Sequence, residues 1–366
     1  MEESDLTAGL PAEIRRAIEA EESLGDDGGW SRSQLAVSYL RDLCWVAPPR
    51  PPINLERAQQ VLDQSHAGMQ AVKEEILDVV ARMEWRRRKG FAAGTGDGAI
   101  LCLVGAPGVG KTSLGAAIAE ATGRQLERIA LGGVDDIALA GLDRSWRSSR
   151  PGEIVRRLRS SGKHPTEVLF LLDEIDKLCE NPARDPLAVL LALLDPVENR
   201  AWQDHFVDSV RIDLSGALMV ATANDEKAIA PPLRDRMHFI RMPSYDKNEQ
   251  IAIAQDYILP RMFKRLGLTE EVQVSGEAIE TLVKDFPATE GLRQVEQRLE
   301  VVVSRALRVH LLTGGRIHVG PDLVRTWLRR DAELRRIGFR VAGNQPGQKE
   351  SSRAPVTGRV VDDGLR

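Results

Sequence analysis

The sequence predicts an α/β protein whose parallel sheet is covered by helices on both faces. Short, largely apolar runs at 100–104, 168–172 and 218–222 alternate with helical stretches at 112–121, 154–158 and 188–194. The first run ends in glycines and then a Lys-Thr pair that opens a helix, the arrangement of a phosphate-binding loop.

Taken in order, residues 11–24 read as a short helix stopped by Gly25, and the run GDDGG forms a loop. Ser31 is the expected N-cap of a second helix, with Leu35, Tyr39, Leu40 and Leu43 at helical spacing. The run PPRPP at 48–52 cannot be helical and acts as a stiff, extended spacer. Asn54 caps a helix to 62. A longer one carries Val72, Ile76, Val79, Val80 and Met83 on one face and ends in the basic run 86–89. After the alternating region the texture turns helical again beyond Pro243, with apolar faces at Ile251/Ile258 and Leu299/Val303. Two β-like pieces interrupt it, at 272–274 and 317–319, and Gly320-Pro321 signals a further helix start. From about 332 the chain is basic, then rich in Gly, Pro, Gln and Ser, and reads as a disordered tail. The division expected is a helical extension with a Pro-rich linker at 1–60, a large α/β unit at 61–243, a small helical unit at 244–331 and the tail at 332–366.

Composition narrows the class. The chain has 366 residues, 42% hydrophobic and 28% charged, with a net charge of −4 from well-mixed Lys, Arg, Asp and Glu. That balance argues against a protein that coats nucleic acid or membrane. Cys44, Cys102 and Cys179 are odd in number and far apart, so reduced thiols and a cytoplasmic setting are expected, with no zinc site. The longest apolar run, at 187–194, is too short to span a bilayer, and the acidic start has no leader-like apolar stretch.

Three elements carry chemistry. Gly105-Ala106-Pro107-Gly108-Val109-Gly110-Lys111-Thr112 fits G-x-x-x-x-G-K-[ST] between a strand and a helix. Glycines let backbone N–H groups wrap an anion, Lys111 reaches the β- and γ-phosphates, and the Thr112 hydroxyl is a ligand for Mg²⁺. Ser113 follows on the same turn and is counted with the nucleotide-binding residues. Leu172-Asp173-Glu174 ends the second strand: Asp173 is placed to hold Mg²⁺, and Glu174 to orient or deprotonate an attacking water. Asn224 ends the third strand. From spacing alone it is equally a water-holding amide and a turn residue.

With these elements in this order the chain resembles an AAA+ ATPase, a P-loop fold with a small helical lid. The segments LGGVDD at 131–136, RPGEIV at 150–155, LLDEIDKL at 171–178, LLDP at 193–196, DHF at 204–206, ATAN at 221–224 and DRM at 235–237 are similar to the ATPase module of Lon proteases. So are LERAQQVLDQSHAGMQAVKEEIL at 55–77 and SYLRDLCWVAP at 38–48, and the likeness covers roughly residues 30 to 330. The resemblance implies ATP and Mg²⁺ as cofactors and makes Asn224 a sensor of the γ-phosphate. It makes Arg236 the arginine finger offered to a neighbouring subunit, against the plainer reading of a surface pair with Asp235. Arg293 becomes a second sensor, carried by the small helical unit. His66, Gly68 and Met69 become the turn against the adenine, where Ala67 replaces the usual Tyr. Trp146 and Arg147 lie in the loop that grips substrate in a central pore. Arg147 departs from the family's aliphatic residue, and the preceding loop is one residue shorter.

The stretch after 331 is too short for the Lon proteolytic domain, and the β-rich N-terminal domain is also missing, so peptidase activity is not expected of this chain. The function expected is ATP hydrolysis in an oligomeric ring, hexameric in the family's manner, to unfold or remodel protein substrates. A separate protease or a full-length Lon is a candidate partner. The alternatives are an ATP-gated binding or regulatory module and, ranked last, a nucleic-acid motor using the arginines at 86–88 and 144–159.

Overall fold

The computed structural model describes residues 9–23, 30–91, 100–178, 185–286 and 291–336. Five parallel strands form the main sheet: β1 (Ile100–Val104), β2 (Gln125–Ala130), β3 (Val168–Asp173), β4 (Leu218–Ala223) and β5 (Met237–Arg241), in the order β2-β3-β4-β1-β5. The inner strands β1, β3 and β4 are buried at every position, as expected of parallel strands covered on both faces. Sequence pattern located only these three. The edge strands β2 and β5 carry Gln125, Glu127, Arg128, His238 and Arg241, which dilute their apolar runs.

Alternation along each strand sends side chains to opposite faces. On one face Cys102, Phe170, Leu172 and Ala221 pack with α1 (Ala12–Ser23) and α2 (Trp30–Asp42), which contribute Ile14, Ile18, Leu40 and Leu43 to the same core. Trp30 opens α2, so Ser31 lies inside the helix and not at its cap; the helix starts two residues earlier than the Ser signal implied. On the other face Leu101, Leu103, Leu169, Leu171 and Val220 pack against α3 (Leu55–Ser65), α4 (Gln70–Arg88) and α5 (Lys111–Ala121). Asn54 caps α3, its side-chain oxygen accepting from the Arg57 N–H at 3.0 Å. The remaining helices of this unit are α6 (Asp136–Ala140), α7 (Glu153–Ser161), α8 (Pro186–Leu194) and α9 (Pro231–Arg234).

The rest has its own core. Helix α10 (Lys247–Ile253) passes through a wider π turn (Ala254–Ile258) into α11 (Leu259–Leu266), followed by α12 (Gly276–Lys284), α13 (Leu292–Thr313) and α14 (Pro321–Arg336). Strands β6 (Val272–Val274) and β7 (Ile317–Val319) pair in parallel beside them, and Ile258, Leu282, Leu299, Val303 and Leu328 form the centre. Helix α14 continues to Arg336, past the predicted break at 332, because Val324 and Leu328 anchor it to this core. Residues 337–366, the remainder of the predicted tail, lie outside the described residues, as does Cys179. Cys44 and Cys102 are free thiols, and burial in β1 pushes the Cys102 thiol up to about 12. Among the described residues no helix is long and apolar enough to cross a membrane.

Candidate functional site

The parallel sheet delivers its chemistry at the carboxyl ends of the strands, where β1 gives way to the phosphate loop and thence to α5. The loop is shaped by Gly108 and Gly110, at φ +79° and +100°, values that L side chains rarely adopt. Gly105 leaves no room for a side chain: a Cβ there would lie 2.7 Å from the Met242 carbonyl. Lys111 is buried and curls back, donating to the carbonyls of Gly105 and Ala106 at 2.7 and 2.9 Å and to Oδ1 of Asn224 at 2.9 Å. Burial pulls its pKa below the usual lysine value, and the charges of Asp176, Asp173 and Glu174 oppose that pull. Asn224, left open by spacing alone, thus stands one hydrogen bond from the loop lysine.

Asp173, at the end of β3, is buried beneath the Thr112 hydroxyl, which approaches its two oxygens at 3.3 and 3.4 Å. Two partners were not found by sequence reasoning. Arg128 of β2 sets its guanidinium on Oδ2 of Asp173, with Nε at 2.9 Å, and Thr222 of β4 donates its hydroxyl to Oδ1. A buried carboxylate needs such partners. Strand order alone predicts them, since Ala130 pairs with Asp173 and Leu172 with Ala221. The carboxylate and hydroxyl supplied by Asp173 and Thr112 are hard oxygen donors, the kind Mg²⁺ takes when phosphates and waters complete its shell. Among the described residues no cluster of three or more His, Cys, Asp or Glu forms an all-protein metal cage, which that mode of binding does not require.

Glu174 has φ +61°, one of two non-glycine residues with positive φ among those described. Its N–H donates to the Thr222 hydroxyl at 3.0 Å, and its carboxylate accepts from Lys177 Nζ at 2.8 Å. Asp176, also unremarked in the sequence reading, accepts from the N–H groups of Asn224 and Asp225 at 3.0 and 3.2 Å, holding the end of β4 against the turn after β3.

The other predicted residues lie around this centre. Arg236 is exposed between α9 and β5; it donates to the Pro232 carbonyl at 3.0 Å and faces Asp195 at 3.7 Å, so its nearest acid is Asp195 and not Asp235. Arg293 is exposed in the first turn of α13. Two residues before it, Gly291 at φ +60° lies so near the phosphate loop that a Cβ would come 3.2 Å from the Pro107 carbonyl. His66 is buried against the loop, its Nε2 2.9 Å from Ser113 Oγ and its Nδ1 3.0 Å from Ser65 Oγ; burial lowers its pKa, which favours the neutral ring. Gly68 and Met69 both adopt left-handed conformations, and Ala67 packs against the core of the small helical unit.

Trp146 and Arg147 are exposed on the loop 142–150, and Trp146 retains 63% of its accessible surface. The base of that loop is rigid. Leu142 and Arg150 bridge in antiparallel fashion. Gly141 and Gly152 pass so close that a Cβ on Gly152 would lie 2.2 Å from the Leu139 carbonyl, and the fully buried Asp204 accepts from the Gly152 N–H at 2.8 Å. Arg144 ties the stem to Glu21 of α1 and to Asp208. Gly152→Ala is therefore expected to cost about 1–3 kcal/mol, since backbone must move to admit the methyl group. Thermal unfolding of the purified variant measures this, and an unchanged Tm would contradict the close crossing.

Comparison with known proteins agrees with this geometry. Residues 101–244 match the profile of the ATPase family associated with various cellular activities (AAA). The chain is 37% identical over 334 residues to the Lon protease of Salinispora arenicola, covering 88% of this chain and 42% of that protein. It is 39% identical over 306 residues to the Lon protease of Frankia alni, covering 80% and 34%, and 37% identical over 310 residues to that of Mycolicibacterium smegmatis, covering 82% and 39%. A solved structure, a RuvB mutant of Thermotoga maritima, aligns with 77% of the chain at 17% identity and a TM-score of 0.49, too slight a likeness to bear on function. The fold and the site thus define an AAA+ ATPase. Within that class the chain is similar to Lon proteases over four fifths or more of its own length, and it spans about two fifths of the length of the curated relatives it matches.

Proposed function

We propose that this chain binds ATP with Mg²⁺ in the phosphate loop and hydrolyses it as one subunit of an oligomeric ring, a hexamer, to unfold or remodel proteins in the cytoplasm as part of protein quality control. The observation that carries the reading is the convergence of Lys111, Thr112, Asp173, Glu174 and Asn224 at the carboxyl ends of β1, β3 and β4, in a unit that also exposes Arg236.

Bound Mg²⁺–ATP supplies the γ-phosphoryl group. The backbone N–H groups of residues 108–112 and the α5 N-terminus favour an anion there. Lys111 has three ammonium hydrogens, all directed at acceptors that phosphate oxygens can replace. Thr112 and Asp173 would hold the metal, beside the Arg128 guanidinium on Oδ2 of Asp173. Glu174, fixed at its backbone, orients a water and takes its proton. Asn224 holds that water against the phosphate. His66, Gly68 and Met69 form the wall for the base, while Gly291 and Arg293 link the small helical unit to the phosphate loop. Arg236 reaches the site of the next subunit, which makes hydrolysis depend on assembly.

Trp146 supplies a large apolar grip on an extended polypeptide. Partners are accordingly protein substrates, further copies of the chain, and a separate protease or a full-length Lon. A second reading, an ATP-gated binding module, is favoured by the exposed Arg147 beside Trp146, which suits a static acidic contact. Unfolding of green fluorescent protein bearing an unstructured tail separates the two. ATP-dependent loss of fluorescence is expected, slowed about tenfold or more by Trp146→Ala. Equal rates with ATP and with a non-hydrolysable analogue would sink the motor reading.

A further inference from the structure

A cavity of about 480 Å³ opens at the opposite end of the sheet from the phosphate loop. It lies where the strands begin: Ile100 opens β1 and Leu218 opens β4, while Arg124 and Glu167 immediately precede β2 and β3. Strands of five residues put roughly 16 Å between this end and the nucleotide end, so the two sites share no side chain. The Pro-rich spacer and α4 form the facing wall. The size falls within the range of roughly 300–1,000 Å³ typical of small-molecule pockets.

Its lining is two-sided. Ile53, Met83, Leu194 and Met219 give an apolar floor, and five arginines against a single carboxylate line the cavity among the described residues. That carboxylate, Glu167, is already engaged by Lys163 Nζ and the His164 N–H, both at 3.2 Å. Arg87 is paired with Glu84 at 2.7 Å. Arg50, Arg82 and Arg124 have no ion-pair partner among the described residues. Arg124 uses one nitrogen, donating to the carbonyls of Gly216 at 2.8 Å and Val168 at 3.2 Å, which leaves a guanidinium braced by the backbone and unneutralised. Burial first, and then the nearby charge of Arg50, pull its pKa down to about 10. Planar guanidinium groups bind carboxylate and phosphate oxygens in pairs. A wholly apolar ligand would leave these cations desolvated, and a small inorganic anion would leave the floor in water.

We propose that this cavity binds a small amphiphile with one anionic head group, the head held by Arg50, Arg82 and Arg124 and the apolar body laid on Ile53, Met83, Leu194 and Met219. The site is separate from the nucleotide site and does not rest on the motor reading. Calorimetric titration of the full chain, saturated with nucleotide, tests it with four probes: dodecanoate, dodecyl phosphate, dodecanol and inorganic phosphate. One or both of the anionic amphiphiles should bind with one-to-one stoichiometry, and the preference between them identifies the head group. Dodecanol and inorganic phosphate should each bind at least about tenfold more weakly. The double variant Arg50→Gln/Arg82→Gln, which leaves Arg124 and its strand-bracing bonds in place, should weaken the anionic probe by about tenfold or more with its Tm unchanged. Equal affinity for dodecanol, an unaffected double variant, displacement of the probe by nucleotide, or no binding by either anionic amphiphile would overturn the proposal.

Discussion

Glu174→Gln is expected to reduce steady-state ATP turnover by about 10²–10⁴-fold while leaving nucleotide affinity nearly unchanged. The groups that would hold phosphate, Lys111 and the loop backbone, do not touch this side chain. The exchange keeps shape and removes the proton acceptor. The backbone of Glu174, held by its N–H to Thr222, stays in place because the substitution leaves that bond intact. The Lys177 contact is exposed, so its loss costs under about 1 kcal/mol. Turnover measured beside a fluorescent-nucleotide titration separates the two quantities. A variant that hydrolyses ATP at the wild-type rate would remove Glu174 from the chemistry.

Arg236→Ala should lower turnover further, by about 10³–10⁵-fold, if its guanidinium meets the phosphate of a neighbouring subunit. Within its own chain the side chain does little: one bond to the Pro232 carbonyl and an exposed approach to Asp195 at 3.7 Å. Stability should therefore change by less than about 1 kcal/mol. The informative result is the split, with folding and nucleotide binding retained and hydrolysis lost. Mixing this variant with Glu174→Gln should restore part of the activity, because an interface pairing an intact Glu174 with an intact Arg236 forms only in the mixture. Full activity of Arg236→Ala alone would rule out the shared site.

How much of this was legible in the sequence depends on how local each signal is. The phosphate loop and the β3 carboxylates were plain because each is a short run whose chemistry requires contiguous residues. The central strands were plain because burial on both faces makes them almost wholly apolar, Asp173 and Thr222 apart. Edge strands β2 and β5 escaped notice because polar and charged residues interrupt their apolar runs. Arg128 and Thr222 escaped for a different reason: they meet Asp173 only through strand order, from positions 45 and 49 residues away. The partner of Arg236 shows the same limit, as Asp235 is its neighbour in sequence but Asp195 is its neighbour in space. The resemblance to Lon supplied roles that spacing could not, such as those of Asn224 and Arg293. It included Asp204, in DHF, but gave it no role; in the structure Asp204 fixes the stem of the Trp146 loop from a separate segment.

The central claim, that active sites are completed between subunits, is tested most directly by ATP turnover of the purified chain over a wide range of protein concentration, with Glu174→Gln as the blank. Specific activity should climb with concentration and then level off as rings fill, the blank remaining flat. A specific activity well above the blank that stays constant on dilution to the monomer would contradict the account.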